Sequence, residues 1–164
     1  MMGVAGSGKS LIGGALARAL DVAFVEGDDY HSPENVARMA SGTPLTDADR
    51  LPWLRSVAKR IRDAKSAGTG LVVACSALKR SYRDLLRAES GAPGLQFVFL
   101  KGSRALIADR LADRRGHFMP PTLLDSQLAA LEEPSPDERA WVSNIKDSPE
   151  HIVAALVARA SNDR

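Results

Sequence analysis

The sequence predicts an α/β domain of three layers, a five-stranded parallel sheet held between two layers of helices. Three observations carry this reading. Short apolar runs at 22–25, 71–75 and 95–100 read as buried strands, and a weaker one follows at 141–145. Segments with apolar residues at helical spacing separate these runs, each long enough to cross from one parallel strand to the next. At the front stands Gly3-Val4-Ala5-Gly6-Ser7-Gly8-Lys9-Ser10, which fits G-x-x-x-x-G-K-[ST], a phosphate-binding loop set between a strand and a helix.

The chemistry of that loop follows from its residue types. Glycines let backbone N–H groups converge on an anion without a side chain in the way. The helix that follows aims its positive end at the same point. Lys9 reaches the β- and γ-phosphates, and Ser10 offers its hydroxyl to Mg²⁺. The strand that should precede the loop is nearly missing, since only Met1 and Met2 stand before Gly3. That strand would be central in the sheet, so about four to six further apolar residues are expected upstream of Met1.

Bulk properties narrow the field. The 164 residues suit one domain, and 45% hydrophobic with 26% charged residues is an ordinary globular balance. A net charge of +2 argues for neither nucleic acid nor a membrane surface as partner. Of the 22 basic residues 16 are Arg, which suits phosphate and carboxylate recognition. The single cysteine, Cys75, excludes an intrachain disulfide, fits a cytoplasmic location and reads as a small core residue. No signal peptide is visible, and no apolar run approaches membrane-spanning length.

The elements follow in order. Helix one covers about 11–20, and the strand at 22–25 ends in Glu26-Gly27-Asp28-Asp29-Tyr30-His31. Carboxylates at the C-terminal end of such a strand stand where open α/β sheets bind ligands. In extended chain Glu26 and Asp28 point to one side, so one could hold a metal-bound water while the other meets an acceptor hydroxyl. A solvated acidic loop is the bland alternative. Ser32-Pro33 starts a short helix, and Thr46-Asp47-Ala48-Asp49 has the form of a capping box for a helix over about 47–67, with Arg50 near its start and Pro52 bending its first turns. Ser76 after the strand at 71–75 is the expected N-cap of a helix over 79–88, on which Lys79 and Arg83 share a face turned to a bound anion or to water. After the strand at 95–100, a helix over 105–114 leads into Arg114-Arg115-Gly116-His117-Phe118-Met119-Pro120-Pro121, a basic loop with hinges. A helix over 122–131, the strand at 141–145 and a Ser148-capped helix over about 149–160 close the chain; the turn at 146–148 falls near the adenine side of a nucleotide.

Several stretches are more specific than the phosphate loop. Met39-Ala40-Ser41-Gly42-Thr43-Pro44-Leu45-Thr46-Asp47-Ala48-Asp49-Arg50-Leu51-Pro52-Trp53-Leu54 and Cys75-Ser76-Ala77-Leu78-Lys79 stand beside Glu26-Gly27-Asp28 with His31, Arg114-Arg115-Gly116-His117-Phe118 and Leu131-Glu132-Glu133-Pro134. With these the chain, over nearly its whole length, resembles the small P-loop (thermoresistant) gluconokinases, relatives of shikimate and nucleoside-monophosphate kinases. The resemblance implies a single P-loop NTPase kinase domain over 1–164, with an acceptor region at about 28–54 and a mobile lid at about 114–121. It implies transfer of the ATP γ-phosphoryl group to the 6-hydroxyl of D-gluconate, with Mg²⁺, in a cytoplasmic homodimer.

Joined to the residue reading, it assigns roles. Gly3, Gly6, Ser7, Gly8, Lys9, Ser10 and Leu11, with Arg110 and Arg114, bind ATP. Lys9, Asp28 and Arg114 are catalytic, Asp28 orienting the acceptor hydroxyl and Arg114, helped by Arg110 or Arg115, closing over the γ-phosphate. Asp28, His31, Arg50, Lys79 and Arg83 bind the substrate. Ser10 holds Mg²⁺, with Glu26 joined to it through water. A kinase for shikimate or a nucleotide, or a non-catalytic nucleotide-binding module, are the competing readings.

Overall fold

The computed structural model describes residues 1–113 and 121–162. Four short parallel strands form two pairs. β1 (Ala23–Glu26) lies beside β2 (Leu71–Ala74), with Ala23 opposite Leu71 and Glu26 opposite Ala74. β3 (Val98–Lys101) lies beside β4 (Trp141–Asn144), with Val98 opposite Trp141. The start of the chain joins the pairs. The Met1 ammonium donates to the Val73 carbonyl at 2.8 Å, and the Met1 carbonyl accepts from Cys75 at 3.0 Å. On the other side Met2 donates to Val98 at 2.7 Å and accepts from Leu100 at 3.0 Å. Met2 forms one parallel bridge with Phe99. The expected fifth strand is thus reduced to a two-residue rung in the centre.

Helices cover both faces. α1 (Lys9–Ala19) turns Ile12, Gly13, Leu16 and Ala17 inward and packs on α7 (Pro149–Asn162). With α5 (Arg104–Ala112) and α6 (Pro121–Ala130) they enclose one core holding Met1, Val4, Leu100 and Leu156. α3 (Asp47–Ser66) and α4 (Arg80–Ser90) enclose the other, which holds Met2, Trp53, Leu54, Val57 and Phe99. Met1 and Met2 fall on opposite faces because successive residues of an extended chain do. α2 (Pro33–Ala40) is short and is tied to the start of α3 by Asn35 Nδ2 on the Asp49 carbonyl (2.8 Å) and by the Arg38–Asp49 ion pair (3.0 Å). An apolar cavity of about 220 Å³ lies beside Met1 between the two strand pairs, walled by Leu71, Val73, Phe97 and Val98 with Leu16 and Val57 above and below.

Local expectations hold in several places. The Thr46/Asp49 capping box forms, and Leu54, Val57, Ala58, Ile61 and Ala64 are all buried along α3. Ser32 caps α2, and Ser148 accepts from the His151 amide at 3.2 Å. Cys75 is buried, and burial pushes its thiol up to about 12, which makes it inert.

Three expectations need correction. Residues 95–97 do not join β3, since the Leu95 amide turns back to Ala92 at 2.9 Å. Ser76 does not cap α4; Lys79 is the N-cap residue and gives no side-chain cap. The carboxylate of Glu132 takes the orphan Arg80 amide instead, at 2.7 Å. And the chain after Glu26 is not extended. Gly27–Tyr30 forms a 3₁₀ turn, seated so tightly that a Cβ on Gly27 would stand 2.4 Å from the Ala74 carbonyl oxygen.

Candidate active site

The phosphate loop is shaped by its glycines. Gly6 and Gly8 have φ of 78° and 95°, the left-handed region open to glycine without strain. Gly3 has φ of 141°, and a Cβ there would meet the Ser7 hydroxyl at 2.9 Å and the Leu100 carbonyl at 3.1 Å. Gly8 is the N-cap of α1, with no side-chain cap and no acidic residue in the first turn, so the positive end of the helix keeps its amides for an anion. Lys9 folds back over the loop, Nζ on the Val4 carbonyl at 3.0 Å. The Ser7 hydroxyl is buried and has no partner among the described residues.

A cavity of about 850 Å³ opens from this loop toward the C-terminal end of β1. Gly6, Gly8, Lys9, Ser10 and Leu11 line it on the nucleotide side, with Arg110 and Pro149 at the edge. Arg110 is held there by donating to the Ile145 carbonyl at 2.6 Å. Glu26, Asp28, His31 and Arg50 line the far side, together with Asp29, Met39, Leu45 and Trp53. Although Glu26 and Asp28 do not share an extended strand, the 3₁₀ turn still delivers both to one chamber.

Trp53 builds the far wall. It is 2% exposed, and its indole Nε1 donates to the Gly27 carbonyl at 2.7 Å, which pins the 3₁₀ turn to α3. His31 stacks on Trp53 with ring centroids 4.2 Å apart and planes 15° apart. Burial pushes the His31 imidazole below its usual pKa, against the pull of Asp28, so it is neutral near pH 7. Its Nδ1 is buried with no partner among the described residues.

Arg50 stands over the chamber with Nη1 3.4 Å from the Tyr82 hydroxyl. Tyr82 in turn donates to Asp47, and Lys79 Nζ sits on both Asp47 oxygens at 2.9 and 2.8 Å. The Lys79 hydrogen bond, followed by that of Tyr82, holds the Asp47 carboxyl below the usual range. Lys79 is therefore committed to Asp47 and does not line the chamber, whereas its neighbours Ser76 and Leu78 do.

Arg83 is corrected outright as a substrate residue. Its side chain has no solvent exposure, and its guanidinium grips Glu138 through Nε (2.5 Å) and Nη2 (2.8 Å), while Nη1 holds the carbonyls of Ala77 and Leu78. It shapes the loop carrying Ser76 and Leu78 rather than meeting a ligand. Arg114 and Arg115, and the lid apart from Pro121, lie outside the described residues.

Reasoning from the residues overlooked Trp53, Asp47 and Gln127. Gln127 was detectable as a polar residue on the apolar stripe of α6, between Leu123, Leu124 and Leu128. Its Oε1 accepts from the Ala5 amide of the phosphate loop at 2.7 Å.

Among the described residues no cluster of three or more His, Cys, Asp or Glu side chains could hold a metal by itself. The Ser10 hydroxyl with the Glu26 and Asp28 carboxylates is a sparse set of hard oxygen donors. Such a set suits Mg²⁺, which keeps several waters and shares the nucleotide's phosphates.

A phosphate loop opening on a chamber with carboxylates and an arginine on its far side defines a P-loop kinase of the α/β class. The family model described as an AAA domain matches residues 1–134. A gluconokinase of Gluconobacter oxydans (strain 621H) is 46% identical over 157 residues, 96% of this chain and 87% of that protein. The chain belongs to the gluconokinase family. A gluconokinase from Sinorhizobium meliloti 1021 superposes with a TM-score of 0.88 at 46% identity, covering 99% of this chain and 91% of that one. An unliganded sugar kinase from Janibacter sp. HTCC2649 gives 0.90, also at 46% identity, covering 96% and 90%.

Proposed function

We propose that this chain transfers the γ-phosphoryl group of ATP to the 6-hydroxyl of D-gluconate, giving 6-phospho-D-gluconate and ADP. The observation that carries the reading is a single chamber that joins the phosphate loop to the wall of Asp28, His31 and Arg50, in a chain with 46% identity to a gluconokinase over nearly all its length. Gly6, Gly8 and Lys9 hold the phosphates, with Gly3 and Ser7 keeping the loop in shape and Ser10, Leu11 and Arg110 around the nucleotide. Asp28 orients the acceptor hydroxyl and takes its proton as the P–O bond forms. Arg50 meets the gluconate carboxylate or hydroxyls, and neutral His31 offers a hydrogen bond across the chamber. Lys79 reaches the acceptor only by leaving Asp47, so its contribution is to steady the Asp47–Tyr82–Arg50 chain. Arg114 completes the proposal as the lid cation over the γ-phosphate.

Mg²⁺, when bound, neutralises charge on the phosphates; Ser10 would hold it, with Glu26 acting through water. The homodimer and the cytoplasmic location belong to the same proposal, supported by the family resemblance and, for the location, by a single buried thiol. No described helix is long and apolar enough to cross a membrane.

The test is ADP release with ATP and Mg²⁺, with and without D-gluconate. Release that depends on gluconate and not on shikimate or AMP supports the reading. Release indifferent to gluconate overturns the acceptor.

A further inference from the structure

Gln127 joins two parts of the molecule that are 122 residues apart in sequence. It lies on α6, the helix that follows the basic segment, yet its Oε1 takes the N–H of Ala5 inside the phosphate loop at 2.7 Å. Because Ala5 N–H is a donor, the carboxamide must turn its oxygen there and its Nε2 away. Nε2 has no hydrogen-bond partner among the described residues, and Gln127 lines the same chamber as Lys9, Asp28 and Arg50. Amide bond lengths place Nε2 about 2.2 Å from Oε1, so it stays at the loop end of the chamber. The helix end of the loop, at Gly8 to Ser10, faces the inner phosphates. Ala5 stands at the other end of the loop, its entry, and lines the chamber together with Lys9, the residue that reaches the β- and γ-phosphates.

We propose that Gln127 is a catalytic residue that contacts the transferring group: its Oε1 holds the Ala5 amide while its Nε2 donates to a γ-phosphoryl oxygen. This rests on the reading of the chain as an ATP-dependent kinase but not on the identity of the acceptor. Fixed at both ends, the carboxamide is preorganised for the charge that shifts onto those oxygens and needs no rearrangement during transfer. As a neutral donor, it orients the group without competing with Lys9 for charge. Placement on a helix directly after the basic segment also links the wall of the chamber to nucleotide binding.

The experiment compares affinities for ADP and for the β,γ-imido analogue of ATP, both with Mg²⁺, in the wild type, Gln127→Ala and Gln127→Glu. Glutamate keeps an oxygen for the Ala5 amide, loses the donor, and sets a negative charge against the phosphoryl oxygens. The analogue is expected to bind about tenfold more weakly to Gln127→Ala, and at least as weakly to Gln127→Glu, with ADP affinity within about twofold in both. Gluconate-dependent kcat should fall about tenfold or more in each. Equal shifts for ADP and the analogue, or analogue binding to Gln127→Glu at wild-type strength, would overturn the assignment and leave Gln127 as a structural clamp. A triphosphate-selective loss in a protein that does not phosphorylate gluconate would support Gln127 and refute the acceptor instead.

Discussion

The two ends of the chamber are built in opposite ways. The phosphate end is eight consecutive residues whose turn closes on itself, Ser7 N–H on Val4 (3.2 Å) and Lys9 Nζ on Val4 (3.0 Å), with distant ties from Gly3 to Ser76 and Ala5 to Gln127 at its entry. The acceptor end is assembled from distant segments by side chains: Trp53 to Gly27, Tyr82 to Asp47, and Arg83 to Glu138, spanning 26, 35 and 55 residues. A local device keeps its shape when the rest of the molecule loosens, whereas a composite one inherits every weakness of its supports. Substitutions among the supports should therefore damage acceptor binding before nucleotide binding.

The largest test of this contrast is the buried ion pair. Replacing Glu138 by Gln strands the Arg83 charge, which makes no contact with solvent, and should cost about 3–5 kcal/mol, read as a fall in Tm of roughly 10 °C or more by calorimetry. The Arg83→Met, Glu138→Leu double variant should recover most of it. The pH profile gives the same answer. Arg83 holds the Glu138 carboxyl at about 2 against an ordinary 4.5, so its contribution is whole above pH 4.5 and fades as pH falls toward 2; Glu138→Gln should lack that acid limb. Folded Glu138→Gln that loses nucleotide affinity as much as gluconate affinity would break the comparison.

Asp28→Asn comes next. It should lower kcat by roughly a hundredfold or more while the β,γ-imido analogue binds within about twofold of wild type, measured by steady-state kinetics and calorimetry. Lost nucleotide binding would move Asp28 to the phosphate end.

A third test concerns the approach to the loop. Burial lowers the Met1 ammonium from 8.0 to about 6. Between those values the unfolded chain holds more protons, so stability should rise from pH 6 to pH 8, by roughly 2–3 kcal/mol. Adding four to six apolar residues before Met1 replaces the ammonium by a peptide N–H and lays a strand into the 220 Å³ cavity. Denaturant melts at the two pH values should then show higher stability and a flat profile; an unchanged slope would remove the ammonium as its cause. The smallest effect belongs to Thr46→Ala, which removes one half of the α3 capping box for about 1 kcal/mol and should raise KM for gluconate slightly with nucleotide affinity intact.

The same contrast explains what could be read from the residues alone. The phosphate loop was legible because glycine spacing and backbone geometry decide it within eight positions. The strands were legible as apolar runs, and the α3 stripe from its period. The 3₁₀ turn at 27–30 was not, because Trp53 pins it from another helix. Arg83 and Lys79 misled for the same reason. An arginine spaced for an exposed helical face looks like a ligand residue until Glu138, far along the chain, is seen to bury it. Lys79 precedes α4 instead of sharing its face, and Asp47 has already engaged it. Gln127 carried a visible sign, polarity on an apolar stripe, but its meaning depended on where Ala5 would fall.

Trp53 also makes the molecule its own optical reporter. The chain has two tryptophans, and Trp141 lies on the far strand pair beside Arg159. Removing it by Trp141→Phe leaves one indole, stacked face to face on an imidazole in the acceptor wall. Protonating that imidazole quenches the emission, and an acceptor that hydrogen-bonds it shifts the pH at which quenching occurs. Gluconate entry could then be followed by intrinsic fluorescence, with no label and no turnover.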